Sequence, residues 1–260
     1  MGVIGGGNSA VDAARVALRQ RDVRSVAIFY RRTREEMPAF AEEVEAALQE
    51  GVRLETLVSP VKILTRQGRV TGLRLVRNVL GDIDASGRRR PVPVPGSEYD
   101  CELDSVIVAI SEGSDVDSVA VASQQRVETT REETVKVDPD TLCTNLPGVF
   151  AGGDVVRGAS TVVEAIADGK RAAVMIDRYI RGELRQPPEV RLPRVSVPPV
   201  QVSEELASAR RVETPRASVE WRKRGFAEVE MSLTVEEATR EASRCLRCDL
   251  EFVQRPEARA

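Results

Sequence analysis

Three small residues near the start of the chain, Gly5, Gly7 and Ala10, stand in the spacing G-x-G-x-x-A within "MGVIGGGNSAVDAAR". That spacing suits a pyrophosphate. Glycines let the backbone approach the phosphates closely, and the helix that follows offers free N–H groups and the positive end of its dipole. Asn8 and Ser9 fill the gap between Gly7 and Ala10. About 20 residues past the glycines, where NAD sites usually hold an acid for the ribose 2′-hydroxyl, the chain instead reads Tyr30-Arg31-Arg32-Thr33-Arg34. Guanidinium groups there match a 2′-phosphate that an acid would repel, so NADPH is favoured over NADH.

A second cluster lies in "CTNLPGVFAGGDVVRGASTVVEAIADGKRAA". Val149–Ala151 is a short predicted strand, Gly152-Gly153 a turn, and Asp154 a carboxylate at the strand's carboxyl end, where open α/β sheets bind ligands. Asp154 suits hydrogen bonds from sugar or ribityl hydroxyls, or it orders its own loop; the residues alone leave both readings open. Thr161 and Glu164 form a capping box that opens a helix, with Val162, Ile166, Gly169, Ala173, Ile176 and Ile180 along one face. Its N-terminus can stabilise negative charge on a ligand such as a reduced flavin ring.

A third candidate is the pair Cys245-x-x-Cys248. An iron–sulfur or zinc site wants four ligands, Cys101 and Cys143 are isolated, and no histidine exists to fill in. A cluster completed from another chain, disulfide exchange at thiols of lowered pKa, and two inert thiols all stay open. The absence of histidine also removes triads and imidazole acids. No tyrosine has a lysine four residues on, so a conventional two-substrate dehydrogenase lacks its acid, and the chemistry falls to a cofactor.

These residues need positioning elements. Met1 to Ile4 supply a strand stump, and Val11, Ala14, Ala17 and Leu18 recur at helical spacing. Ser25–Tyr30 reads as a buried strand, which makes the opening of a βαβ unit. Glu42 to Leu48 predicts a helix closed by Gly51. β-rich runs follow at Val52–Val58, Val61–Thr65 and Val70–Val79. The turn-rich stretch "GDIDASGRRRPVPVPGSEYD" comes next, with Arg88–Arg90 read as a solvated hairpin tip. Ser105–Ile110 is a continuous apolar strand of the kind buried on both faces.

The 260 residues suffice for one large or two modest domains, and a 42% hydrophobic content supplies a core. A net charge of −3 argues against a nucleic-acid partner. No apolar run reaches the ~20 residues of a spanning helix, and the N-terminus lacks the basic region plus apolar core expected of a signal peptide. Together with only four cysteines, this reads as soluble and cytoplasmic.

"VIGGGNSAVDAAR…YRRTREEMPA" and "LPGVFAGGDVVRGASTVVEAIADGKRAA" together resemble the small subunit of NADPH-dependent glutamate synthase and its relatives among the FAD/NAD(P) pyridine-nucleotide oxidoreductases. The resemblance covers about Val3 to Ile180. It implies an NAD(P) domain inserted in an FAD domain, and a chain that starts at the insertion, without the N-terminal FAD half. It further implies that Gly5, Gly7, Asn8, Ser9 and Ala10 hold the NADPH pyrophosphate and Arg31 and Arg32 the 2′-phosphate. Gly153 and Asp154 would hold the ribityl and phosphate side of FAD, and Thr161 and Val162 would present the helix end to the flavin pyrimidine. Hydride would pass from nicotinamide to flavin, then electrons singly to an iron–sulfur or other acceptor subunit, with Cys245 and Cys248 at the edge of a four-iron cluster shared with another chain. Ser111 and Ser114 stand where such relatives tend to have glycine and proline, and a side chain at Ser111 crowds the dinucleotide.

The expected fold is α/β: a Rossmann-like NAD(P)-binding domain with a β-meander over 1–103, and the C-terminal part of an FAD-binding domain over 104–182. A Pro-rich arm or linker, mostly irregular, spans 183–233, and a terminal helix with the C-x-x-C pair spans 234–260. The alternative function is a nucleotide-binding or scaffolding module without catalysis inside a larger redox complex.

Overall fold

The computed structural model describes residues 1–84, 87–110, 112–116, 126–184 and 203–245. They fall into two units, one holding residues 1–110 with the tail 203–245, the other lying within 112–184.

In chain order the first unit runs β1 (Gly2–Ile4), α1 (Asn8–Leu18), β2 (Ala27–Tyr30), α2 (Ala41–Glu50), β3 (Arg53–Thr56), β4 (Val58–Arg66), β5 (Arg69–Ile83), β6 (Arg89–Pro93), β7 (Tyr99–Glu102) and β8 (Val106–Val108). β3, β2, β1 and β8 form a parallel sheet in that spatial order, with Gly2 opposite Ala27 on one side and Val106 on the other. β4, β5 and β6 form an antiparallel sheet that β7 joins through β5. The parallel sheet is covered on both faces. Val3 and Ile28 pack with Val11, Ala14, Val44 and Ala47 of the helices, while Ile4, Ala27 and Phe29 pack with Val58, Leu73, Leu75 and Leu103. Double coverage is why β2 is an unbroken apolar run.

Three expectations change here. The strand at Ser105–Ile110, expected to open the second domain at residue 104, completes the first sheet instead. A three-residue β1 has two edges to satisfy, and β8 supplies the second through Gly2 N to Ser105 O (2.9 Å) and Ala109 N to Ile4 O (2.8 Å). The unit boundary therefore follows Ile110, not residue 103. The run Val52–Val58 divides at Leu57, whose φ of +57° turns the chain from the parallel to the antiparallel sheet. The turn-rich stretch from Gly81 to Asp100 contains β6 and the start of β7. Pro91 and Pro93 are tolerated because β6 lies on the edge, bonded to β5 alone.

In the second unit the predicted strand Val149–Ala151 is a single bridge between Cys143 and Phe150. No neighbouring strand among the described residues extends it into a ladder. α3 (Asp154–Arg157) and α4 (Val162–Arg181) follow. The capping box on Thr161 forms as expected. The apolar face of α4 does not bury: Val162 is 76% and Ile180 77% exposed, and Ile166 and Ile176 are also exposed.

The described tail holds α5 (Glu204–Ser208), α6 (Val219–Arg222) and α7 (Val235–Ser243), the last opened by the Thr234–Glu237 box. It is anchored to the first unit through Glu50, which is 0% exposed and receives Arg15 (2.8 Å) and Arg19 (3.0 Å) of α1 and Arg222 (3.7 Å) of α6. Arg222 also donates to Gln49 Oε1 (3.1 Å), and Arg19 Nε to the Gly225 carbonyl (3.1 Å). Burial pushes the Glu50 carboxyl up, but the hydrogen bonds from Arg15 and Arg19 outweigh it and hold the carboxyl below its ordinary value. Residues 185–202, the most Pro-rich part of the expected arm, lie outside the described residues.

Candidate functional site

At the carboxyl end of β1 the chain turns through Gly5, whose φ is +148° and whose amide donates to the Phe29 carbonyl (3.1 Å). A Cβ there would lie 2.2 Å from the Ala109 carbonyl oxygen and 3.0 Å from the Cβ of Ala10. The first glycine and the small third residue therefore let helix, turn and strand close on one another. Gly7 differs. It is the N-cap of α1 with no side-chain cap, and a Cβ on it would meet nothing within 4 Å. That open space is what a dinucleotide backbone needs in order to approach.

The amides of Asn8 and Ser9 lie in the first turn of α1, where no carbonyl one turn back pairs with them. No acidic residue occupies that turn, so the positive end of the helix is not neutralised. The Asn8 side chain is committed elsewhere: its Oδ1 accepts the Phe40 amide (2.9 Å) and ties the turn to the start of α2. Ser9 is exposed and Ala10 buried.

The arginines at the end of β2 have separate employments. Arg31 is exposed and borders a groove of about 810 Å³. Arg34 pairs with Glu45 (2.8 Å). Arg32 turns inward, 2% exposed, with Nε donating to the Arg89 carbonyl (2.7 Å) and Nη2 to Asp84 Oδ2 (2.5 Å). The expectation that Arg31 and Arg32 act alike thus gives way to one exposed guanidinium and one buried brace. Burial of so large a cation is balanced by its two acceptors.

In the second unit a cavity of about 510 Å³ is bordered by Gly153, Asp154, Thr161, Val162 and Asp168 among others, so the predicted residues of this cluster do meet at one place. Gly153 has φ +72°, and a Cβ on Gly152 would lie 2.8 Å from Cβ of Asp168. Asp168 organises the turn, an arrangement the sequence reading missed. Only 2% exposed, it accepts the Gly153 amide (3.0 Å) and a two-pronged bond from Arg157 (2.6 and 2.7 Å). The Arg157 guanidinium and the Gly153 amide hold its carboxyl far below the usual carboxylate range. The only sequence signal was one acid in "AIADG", two turns into a helix.

Asp154 itself is exposed. Its Oδ1 accepts the Ser160 amide (3.3 Å) and hydroxyl (3.2 Å), as the loop-ordering reading expects, and the residue also borders the cavity. At α4 the Glu164 amide bonds Thr161 Oγ1 (3.3 Å), and Glu164 in turn accepts the Thr161 amide (3.0 Å). The bonds from the Thr161 amide and hydroxyl hold the Glu164 carboxyl low.

Cys245 is free and exposed, whereas Cys248 and Ser111 lie outside the described residues. Among the described residues no three His, Cys, Asp or Glu side chains converge as metal ligands, and no helix is long and apolar enough to cross a membrane.

The chain is 44% identical over 252 residues to the NADP(+)-dependent formate dehydrogenase subunit beta of Moorella thermoacetica, covering 95% of this chain and 35% of that one. It is 39% identical over 279 residues to the NADPH-Fe(3+) oxidoreductase subunit beta of Geobacter sulfurreducens (95% and 40%). To the glutamate synthase [NADPH] small chain of Azospirillum brasilense it is 42% identical over 186 residues (71% and 38%). It thus spans about two-fifths or less of the length of these curated relatives. Thioredoxin reductase from T. acidophilum shares the fold at a TM-score of 0.53 and 21% identity, over 70% of this chain and 52% of that one. FprA from Mycobacterium tuberculosis does so at 0.51 and 17%, over 69% and 51%. The α/β class and the likeness to glutamate synthase small chains read from the motifs are both borne out. Residues 1–169 match the pyridine nucleotide-disulphide oxidoreductase profile, and the chain belongs to that family.

Proposed function

We propose that this chain carries the NADPH-binding part, and one portion of the flavin-binding part, of an NADPH oxidoreductase subunit that delivers electrons to an acceptor protein. The observation that carries the reading is the glycine turn, where a tightly closed Gly5 is followed by a Gly7 with empty space beside it and the uncapped end of α1. The residues fit the group. Gly7 leaves the approach clear, the Asn8 and Ser9 amides face it, and Arg31 stands exposed at the end of the neighbouring strand.

When bound, the dinucleotide supplies a hydride and a flavin accepts the pair of electrons and can release them singly. The protein's part is binding and orientation. The α1 N-terminus would hold the pyrophosphate, and Gly153, whose amide donates to Asp168, would present its turn to the flavin's ribityl and phosphate side with Asp154 as acceptor for hydroxyls. The Val162 end of α4 would face the ring, where its dipole would favour negative charge. No side chain is asked to move a proton, in keeping with a sequence that has no histidine.

The exposed face of α4, with Val162, Ile166, Ile176 and Ile180, is assigned to the rest of the flavin fold, which the longer relatives have length to supply. The acceptor is a partner subunit bearing an iron–sulfur centre, and Cys245 with Cys248 is a candidate contribution to it. The names of the Moorella and Geobacter proteins, subunits of NADP-linked oxidoreductases, support the reading of an NADPH-linked oxidoreductase subunit.

The test is anaerobic. The chain is purified together with the flanking region of the Moorella relative that it does not match, FAD is added, and NADPH is titrated while the visible flavin band is followed. Bleaching by NADPH, and ferricyanide reduction that depends on both polypeptides, is the expected result. Flavin that stays oxidised under excess NADPH in the assembled pair contradicts the proposal.

A further inference from the structure

The groove at the end of β2 is lined from two elements distant in sequence. Arg31 comes from the β2 exit and Arg90 from β6, in the arginine run that reads as a solvated tip in the sequence. The structure ties that run down. Arg32 donates to the Arg89 carbonyl and to Asp84, and the Arg89 amide donates to Glu36 Oε1 (3.2 Å), so the β5–β6 hairpin is fastened to the exit of β2 at several points. The Arg31 carbonyl is fixed in turn by Nδ2 of the buried Asn78 on β5 (3.0 Å). Fastened this way, the hairpin presents Arg90 to the groove that Arg31 borders. Among the described residues neither the Arg31 nor the Arg90 guanidinium forms an ion pair.

The charge balance gives the ligand. Five charged residues border the groove: Arg32 and Asp84 neutralise each other, and Arg31 with Arg90 exceed the exposed Asp82. Two free, planar cations at one mouth suit a phosphate, which accepts charge-assisted bonds from both. We propose that Arg90 is a second specificity-determining arm for the 2′-phosphate of the adenosine ribose, working with Arg31, and that Arg32 is a positioning residue that holds the hairpin in place. This rests on the nucleotide-binding reading above and extends it to a strand and a residue that the glycine motif does not reach.

The experiment measures affinities of the 260-residue chain for adenosine 2′,5′-bisphosphate and for AMP by calorimetry, with unfolding midpoints alongside. The wild type should prefer the bisphosphate. Arg90→Gln should cut that preference roughly tenfold, as should Arg31→Gln, the size expected for losing one charge-assisted bond. Arg32→Gln should lower the preference as well, with faster amide exchange along β6, and Arg32→Lys should restore part of it. A preference that Arg90→Gln leaves whole while Arg31→Gln removes it overturns the hairpin arm and leaves the nucleotide reading standing. Equal wild-type affinity for the two probes overturns 2′-phosphate recognition altogether. Binding of neither probe overturns the nucleotide reading and this inference with it.

Discussion

Two helices of this chain, α1 and α4, are finished differently at their N-termini. α1 is 11 residues long, has no side-chain cap and no acid in its first turn, and buries Ala10, Val11, Ala14 and Ala17. α4 is 20 residues long, is closed by a complete capping box, and buries only Asp168 and Met175. The short helix is held by its surroundings and leaves its N-terminus open. The long one satisfies much of its own end and lacks a cover for its apolar face. A helix that draws its stability from tertiary packing can leave its first amides for a ligand, whereas one without cover depends more on its cap.

The largest expected effect breaks the support of α1. Glu50→Gln would leave Arg15, Arg19 and Arg222 around a neutral group, and a buried ion network that loses one partner costs about 3–5 kcal/mol. Urea unfolding of the first unit should shift by that order and the tail should become protease-sensitive, with the second unit unmoved. Equal loss in both units would erase the contrast. Gly7→Ala comes next. The added methyl meets no protein atom, so the fold should stand, while NADPH affinity should fall about tenfold or more, about 1.4 kcal/mol.

Asp168→Asn addresses the second unit. The Asp168 carboxyl is lowered in the folded state, so its contribution is present above the unfolded-state value of 3.8 and is lost as pH falls below it. The wild-type second unit should therefore weaken on acidification below about pH 4, and the variant should begin weaker and show a flatter slope there. Thr161→Ala should cost about 1 kcal/mol, the usual value of a lost N-cap, read in the same unfolding experiment. The smallest effect sharpens the comparison. Ile166→Ser on the exposed face of α4 should stay within about 0.5 kcal/mol in this chain, yet weaken association with the rest of the flavin fold. A large loss in this chain alone would mean that the face is already covered.

Legibility followed the range of the interactions. The glycine turn, the cap at Thr161 and the helix ending at Gly51 depend on neighbours a few residues apart, and the spacing revealed them. The second partner of β1 was not legible, because a continuous apolar run such as Ser105–Ile110 says that a strand is buried but not which sheet buries it. Nor did the arginine run at β2 announce which member turns inward: Arg32 is buried by acceptors more than 50 residues away, Asp84 and the Arg89 carbonyl. Asp168 escaped for the same reason, its partners Gly153 and Arg157 being placed by a turn rather than by helical periodicity. Arg222, in a segment expected to be irregular, reaches Gln49 across 173 residues of sequence.

The most direct test of the account is a calorimetric titration of NADPH into the wild-type chain and the Gly7→Ala variant, with matched unfolding midpoints. Saturable binding at one site in the wild type, weakened about tenfold or more in a variant that unfolds at the same temperature, is the predicted result. Equal affinity in the two proteins, or no saturable binding in the wild type, would contradict the claim that the open glycine turn is a dinucleotide site.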